Sequence, residues 1–369
     1  STPYMPPFFP ITTFEKTQTN DKINTREFHS SVVLDFAPHK WSIGLDLGRD
    51  DAYLSELHQI GVGAITNRLK ADATQIRAGL YAQDEWTLDE KQTLTLGLRV
   101  DRFDLSDDKD ATETDEQGLS GSLGYNYRYN DTTSFYGTLA SGFRSPDLDE
   151  RYQDTTLNYF NEQVTIQGNP DLEPERSLSL EVGVKKDAED FGRFEAAAYY
   201  NAVSDYIGES LVSSTPAGPR TLIVKTRDNL GDVGLFGFEL GWKSPKASNW
   251  RNYASLFRTW TDSRDVVAVA SYQFGYGIGY SFHTTSFGKI TPSWSGRYVT
   301  KSRDGVADIT FGAYHVADAQ VAFEWGSQED VKTQFIVGIK NVFDRQYKEL
   351  FFDSYQPARG LFAAIQVDF

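Results

Sequence analysis

Three features of this sequence predict an all-β fold, an antiparallel transmembrane β-barrel with about sixteen strands. The first is the last ten residues, GLFAAIQVDF. Leu361, Ala363, Ile365, Val367 and Phe369 fall on one face of an extended chain, and Gly360, Phe362, Ala364, Gln366 and Asp368 on the other. One face is wholly apolar, while the other tolerates an amide and a carboxylate. An amphipathic edge strand of a soluble sandwich would show the same ten residues. The second feature is repetition, since Phe335, Val337 and Ile339 oppose Gln334, Gly338 and Lys340 in the preceding run. The third is an alternation of short and long connections along the chain. Tight turns on one rim and large loops on the other suit a membrane barrel, whereas a sandwich has no reason to sort its loops by length.

Composition agrees. The chain of 369 residues is 39% apolar and 14% aromatic, with 25 Phe, 20 Tyr and 7 Trp. Its mean hydropathy is only −0.47. Aromatic girdles around a polar lumen give that combination. No apolar run reaches the ~18 residues of a membrane helix. Acidic residues number 52 against 36 basic, a net charge of −16 that argues against nucleic-acid binding. Cysteine is absent, which excludes a disulfide framework and a thiolate metal site or nucleophile. The chain opens with Ser1-Thr2-Pro3, without an initiating Met or an apolar leader, and is expected to begin after processing or within a longer protein.

Taken in order, a half-apolar run near 8–17 and a polar stretch from Gln18 to Arg26 lead into strands at 27–37 and 40–53. A long connection is expected over 54–73, then strands at 74–87 and 94–101, and an acidic loop from Asp107 to Glu116. The run 119–129 alternates cleanly, with its tyrosines gathered at one end as in an interface belt. Further strands are predicted near 133–144, 177–186, 193–206, 235–243, 250–262, 273–283, 290–300, 314–325 and 333–343, before the closing strand. Leu119, Leu123, Tyr125, Leu178, Leu180, Val182, Leu361 and Val367 should face lipid. Ser120, Asn126, Arg128, Glu181, Gln366 and Asp368 should face the lumen.

Several motifs resemble those of the TonB-dependent outer-membrane receptors. Tyr81-Ala82-Gln83-Asp84-Glu85-Trp86 followed by Leu94-Thr95-Leu96-Gly97-Leu98-Arg99 is similar to a strand–turn–strand of that family. Ser141-Gly142-Phe143-Arg144-Ser145-Pro146 and Gly168-Asn169-Pro170-Asp171-Leu172-Glu173-Pro174-Glu175 resemble the two boxes that bracket its large seventh loop. Asn341-Val342-Phe343-Asp344-Arg345-Gln346-Tyr347, then Gln356-Pro357-Ala358-Arg359-Gly360, resembles its C-terminal end.

The resemblance implies an outer-membrane location in a Gram-negative cell and TonB-energised uptake of a scarce nutrient. A ferric siderophore or similar metal chelate leads, with haem or cobalamin as alternatives. It implies three partners: outer-membrane lipid and lipopolysaccharide, the chelate ligand, and TonB through an N-terminal region. No cofactor and no nucleic-acid partner are expected. Receptors of this family have a plug inside a barrel of about 22 strands. Residues 1–369 are therefore expected to be the C-terminal barrel portion, with plug and first strands outside this chain. In that case 8–17 and 360–369 both present unpaired edges. A complete sixteen-stranded general porin would instead pair them with each other.

Binding residues of such a receptor belong on long loops and the upper lumen. On 145–176 the candidates are Arg151, Tyr152, Tyr159 and Phe160, aromatics for stacking and a cation for an anionic chelate. The same four could simply hold the loop together. Arg144 and Pro146 are read as shaping the strand exit. Haem receptors carry a histidine between the bracketing boxes, but 147–168 contains none, leaving His58 and His315 as candidate axial ligands. Copper held by soft sulfur is disfavoured by a single Met and no Cys. The acidic run near Asp107 could hold calcium but reads more simply as a solvated loop tip. No histidine shows the Ser–His–polar grouping of an outer-membrane hydrolase, so no enzyme activity is expected.

Overall fold

The computed structural model describes residues 15–60, 65–108, 112–152, 154–158, 162–218, 220–263, 272–285, 288–304, 309–326, 331–349 and 354–368. The chain rises and falls through β1 (Glu15–Phe36), β2 (His39–Ile60), β3 (Ile65–Thr87), β4 (Gln92–Asp107), β5 (Thr112–Asn130) and β6 (Thr133–Arg144). A short helix, α1 (Leu148–Tyr152), and strands β7 (Asp154–Asn158) and β8 (Glu162–Gln167) occupy the next loop. The wall resumes with β9 (Glu175–Ala188) and β10 (Gly192–Ser204), and a second large loop holds β11 (Ile207–Ala217) and β12 (Arg220–Asn229). Then come β13 (Val233–Lys243), β14 (Tyr253–Thr261), β15 (Tyr272–Gly279), β16 (Phe282–Thr284) and β17 (Gly288–Val299). A small hairpin, β18 (Ser302–Asp304) and β19 (Ile309–Phe311), precedes β20 (Tyr314–Trp325), β21 (Lys332–Lys340) and β22 (Gly360–Asp368).

One antiparallel sheet of sixteen strands runs β1-β2-β3-β4-β5-β6-β9-β10-β13-β14-β15-β17-β20-β21-β22, with β16 beside β17. Consecutive wall strands pair throughout, so the short connections share one rim and the loops after β6 and β10 share the other. Among the described residues β1 pairs only with β2 and β22 only with β21; no ladder joins them.

Register carries the apolar face from strand to strand. Leu98 lies between Ala82 and Gly121, and Leu180 between Leu139 and Tyr200. The residues expected to face lipid are all exposed, from Val367 at 40% to Leu361 at 85%. A continuous exposed apolar surface of this extent is stable only against lipid. Trp86, Tyr125, Phe194, Trp242 and Trp250 mark this surface near the short-turn rim, and Phe236, Tyr272 and Tyr298 near the other. On β1 and β2 the outward charges resume at the cross-strand pair Arg26 and Arg49. The eleven residues from Phe36 back to Arg26, tilted, cover the ~25 Å apolar band of a barrel wall.

The first hairpins differ from the sequence reading. Gln18 to Arg26 continues β1 instead of separating two strands, and most of 54–73 belongs to the long arms of β2 and β3. The expected strand near 8–17 lies outside the described residues up to 14, and its last residues are the start of β1. The acidic stretch is split between β4 and β5, which reach Asp107 and Thr112. Above the bilayer neither face meets lipid, and where Ala52, Ala71 and Ala73 pack against Leu148 and Tyr152 the strands offer only small side chains, so the apolar alternation vanishes while the backbone ladder continues. Ladder hydrogen bonds do not require an apolar face, and periodicity cannot register strands of this kind.

Close cross-strand contacts tighten the wall. An added Cβ at Gly183 would approach the Tyr136 ring to 2.5 Å, so the missing side chain lets that ring lie flat across the neighbouring strand. The facing assignment has a direct test. Val182, 52% exposed at mid-wall on β9, replaced by Arg should lose about 2–4 kcal/mol of folding stability in a bilayer. Glu181→Arg, one residue back and facing the lumen, should lose much less when both are unfolded from vesicles by urea.

Candidate functional site

The lumen face of the first strands is a charged wall. Arg99 donates to Asp46 at 2.5 Å and to Asp101 at 2.7 Å, while His29 pairs with Asp46. Arg77 joins Glu27 at 2.6 Å and Asp50 at 3.2 Å. All of these groups except Asp50 line a cleft of about 220 Å³. Neighbouring strands place them there because every second residue points inward.

The loop scaffold is built on two arginines. Arg144, at the top of β6, donates to Glu150 of α1 and to Glu175 of β9, both at 2.7 Å. Glu175 also accepts the Ile207 amide at 2.7 Å, tying the first large loop to the second. Burial pushes the Glu175 carboxyl up, but the bonds from Arg144 and the Ile207 amide outweigh it and hold the group below its usual range. The Arg144 guanidinium is correspondingly raised, chiefly by its bond to Glu175. Arg151 is 2% exposed, with its guanidinium on Glu116 of β5 and on the Pro170 carbonyl at 2.6 Å. Gly168 is required by close approach, since a Cβ there would lie 2.5 Å from the Arg151 backbone.

The two large loops then merge in a four-stranded sheet ordered β11-β12-β8-β7, in which β12 and β8 run parallel. Asn229 fastens its base, donating to the Glu173 and Asp205 carbonyls at 2.9 and 2.8 Å and accepting from the Glu173 amide at 2.9 Å.

A second lumen-side pocket, about 330 Å³, is lined by Tyr253, Ser295, Arg297, Asp318, Lys340, Asn341 and Tyr347 among others. Arg297 bonds Glu349 and sits 5.6 Å from the Tyr314 ring, which packs 4.4 Å from Tyr347. Burial raises the Tyr347 phenol above its ordinary value and keeps it a neutral donor. Asn341 holds the adjoining loop from a left-handed backbone, φ 50°. Its side chain donates to the Arg345 carbonyl at 2.9 Å and to the Pro357 carbonyl at 3.2 Å, and accepts from the Arg345 amide at 2.9 Å. Two cations, phenols and carboxylates thus converge at the upper lumen, a set able to recognise a polar aromatic or anionic ligand.

The sequence-predicted residues do not come together here. Arg151 and Tyr152 are buried beside β3 and β5 and would have to leave their partners to meet a ligand. Tyr159 and Phe160 lie outside the described residues. His58 is on the upper arm of β2, between Thr17 and Thr66 in the ladder. His315 stands on the outward row of β20, opposite Tyr298, where it bonds the Tyr276 hydroxyl at 3.0 Å and packs on Phe343. Strand parity sets that position on the lipid side of the wall. In the acidic run, Asp107 is 1% exposed and accepts the Asp72 amide at 3.2 Å. Arg297, Tyr314 and Lys340 were not singled out from sequence. The available signal was their polar parity on otherwise apolar-faced strands, which names a face but not a pocket.

The family described as TonB dependent receptor-like, beta-barrel matches residues 2–342. This chain belongs to that family of outer-membrane β-barrels of Gram-negative bacteria. It is 24% identical over 242 residues to the vitamin B12 transporter BtuB of Vibrio vulnificus strain YJ016, covering 61% of this chain and 33% of BtuB. The copper transporter OprC superposes with a TM-score of 0.76 at 19% identity, covering 95% of this chain and 56% of OprC. The ferric preacinetobactin receptor BauA of Acinetobacter baumannii gives 0.67 at 13% identity, covering 97% and 55%. The chain therefore spans about a third to just over half the length of these relatives.

Two outcomes check the scaffold. Asn341→Ala should cost about 1–3 kcal/mol and expose the 344–359 loop to protease while the wall stays folded, with Asn341→Gly less severe because it keeps the left-handed backbone. The depressed Glu175 carboxyl stabilises the joined loops fully above its unfolded value, about 4.3, and loses that contribution as pH falls through the lower folded value. Exchange protection of the Ile207 amide should therefore be constant from pH 7 to 5 and fall below about pH 4. In Glu175→Gln that fall should be absent.

Proposed function

We propose that this chain is the C-terminal barrel portion of a receptor that takes up a scarce nutrient across the outer membrane, driven by TonB through a plug outside residues 1–369. The observation that carries this reading is the open seam. Among the described residues β1 and β22 end the sheet without pairing with each other, although lipid cannot satisfy free backbone groups. A sixteen-stranded porin needs that seam closed, whereas a larger barrel supplies further strands. Coverage of 33–56% of the relatives' lengths supports the same division.

A metal chelate of siderophore type is the ligand class that suits the upper-lumen pocket best. Arg297 and Lys340 offer charge to an anionic chelate, and Tyr253 and Tyr347 offer flat contact. Vitamin B12, carried by BtuB, is the second candidate. Copper fits less well, because one Met and no Cys leave no soft ligand set. The protein acts on this reading as a carrier and not as a catalyst.

The test is uptake by cells expressing the natively encoded protein, with and without TonB, using ferric catecholate, ferric hydroxamate, cyanocobalamin and Cu²⁺ as probes. A ferric chelate should accumulate only when TonB is present. Arg297→Gln should weaken its binding about tenfold while leaving outer-membrane assembly intact. TonB-independent entry of small sugars would overturn the receptor reading.

A further inference from the structure

One ion pair of the upper lumen is built differently from the others. Arg297, on β17 between Gly275 of β15 and Val316 of β20, gives its guanidinium to Glu349. The carboxylates that match Arg99, Arg144 and Arg151 are fixed in regular structure, Asp46, Asp101, Glu116 and Glu175 in strands and Glu150 in α1. Glu349 lies in neither strand nor helix, two residues beyond Tyr347 on the loop between β21 and β22. The pair is also open to water, with 41% and 26% of the two side chains exposed. An ion pair this accessible is weak and readily exchanged.

Charge balance shows what this pair does to the pocket beside it. Arg297, Lys340 and Asp318 are the charged residues of the pocket lining. Asp318 accepts the Asn341 amide at 2.8 Å. With Glu349 on Arg297, two cations meet two carboxylates and the charges cancel. An approaching anion then gains little, because the guanidinium is already neutralised. With Glu349 withdrawn, one net positive charge is left and Arg297 can make charge-assisted bonds to the newcomer. An uncharged ligand offers nothing in exchange for the lost carboxylate.

The loop allows such an exchange, because its base is anchored without Glu349. Asn341 donates to the Arg345 and Pro357 carbonyls, Asp344 accepts the Arg359 amide at 2.8 Å, and the Gln356 amide donates to the Tyr347 carbonyl at 2.9 Å. Tyr347 is held separately by its packing 4.4 Å from Tyr314. Glu349 can therefore turn away while the ring that lines the pocket keeps its place.

We infer that Glu349 is a built-in stand-in for an anionic oxygen of the ligand, occupying Arg297 until a polyanionic chelate takes its place. The exchange selects anionic chelates over uncharged ones. This rests on the receptor reading proposed above and deepens it to the charge of the ligand and the residue that screens for it.

The test uses the natively encoded protein, purified from outer membranes in detergent. It is titrated with two ferric chelates of similar shape, a trianionic tris-catecholate and an uncharged tris-hydroxamate, and followed by intrinsic fluorescence. Wild type should bind the catecholate more tightly. Glu349→Gln, which removes the competitor, should tighten catecholate binding about tenfold and leave hydroxamate binding within about twofold. Glu349→Ala should do the same and carries the test if the first variant does not assemble; heat-modifiable migration verifies folding. In an Arg297→Gln background the Glu349 substitution should have no effect, since the pair it breaks is already gone. Asp318→Asn removes an equal charge from the lining without freeing Arg297, and should tighten binding much less. Unchanged or weaker catecholate binding by folded Glu349→Gln makes Glu349 a support for Arg297 and overturns the inference, while leaving the receptor reading standing. Equal tightening by Asp318→Asn, or toward both chelates, overturns the exchange in the same way. Failure of wild type to bind either chelate overturns the ligand class and the inference together.

Discussion

Backbone hydrogen bonding is the constraint on which the whole structure depends. A peptide group facing hydrocarbon finds no water, so each N–H and C=O must be paired within the protein. The consecutive ladders from β1 to β22 meet that demand for every interior strand. Among the described residues only the outer edges of β1 and β22 are left, and in a bilayer those two edges are the least tolerable places for unpaired groups.

With the ladder settled, side-chain parity assigns chemistry to faces. One parity gives the apolar outer surface, which includes Leu119, Leu178 and Leu361. The other gives the ionic wall of Arg77, Arg99, Asp46 and Asp101. Charges on the lumen side remain hydrated or mutually paired and cost little. On the outer side they are confined to the rims.

Loops of this size would be expected to fray, because loop closure and backbone ordering are entropically costly. They are held by a few polar groups that each bind several elements. Arg144 gathers β6, α1 and β9, and Glu175 passes the connection to the second loop. Asn229 and Asn341 do the same with amide side chains that donate and accept at once. The receptor-type boxes of the sequence thus work as joints, and the upper-lumen pocket is assembled where one of them, with Asn341, Tyr347 and Pro357, meets strand ends such as Arg297 and Asp318 that carry no motif of their own.

The membrane-crossing strands were legible residue by residue, because lipid on one side and water on the other imposes a strict period of two. Runs such as 94–101, 119–129 and 360–369 needed nothing else. Receptor-type motifs were legible too, since Arg144, Gly168 and Asn341 meet local requirements of charge, space or backbone angle. The long arms of β2 and β3 were not, because with no lipid on either side and only small alanines packed against α1 no hydrophobic contrast marks them. Nor could sequence tell that Arg151 is buried on Glu116, 35 positions away, rather than free for a ligand. The parallel pairing of β8 with β12 and the meeting of Arg297, Tyr314 and Tyr347 are likewise long-range. Local pattern decides which way a side chain points; only the tertiary structure decides what waits there to meet it.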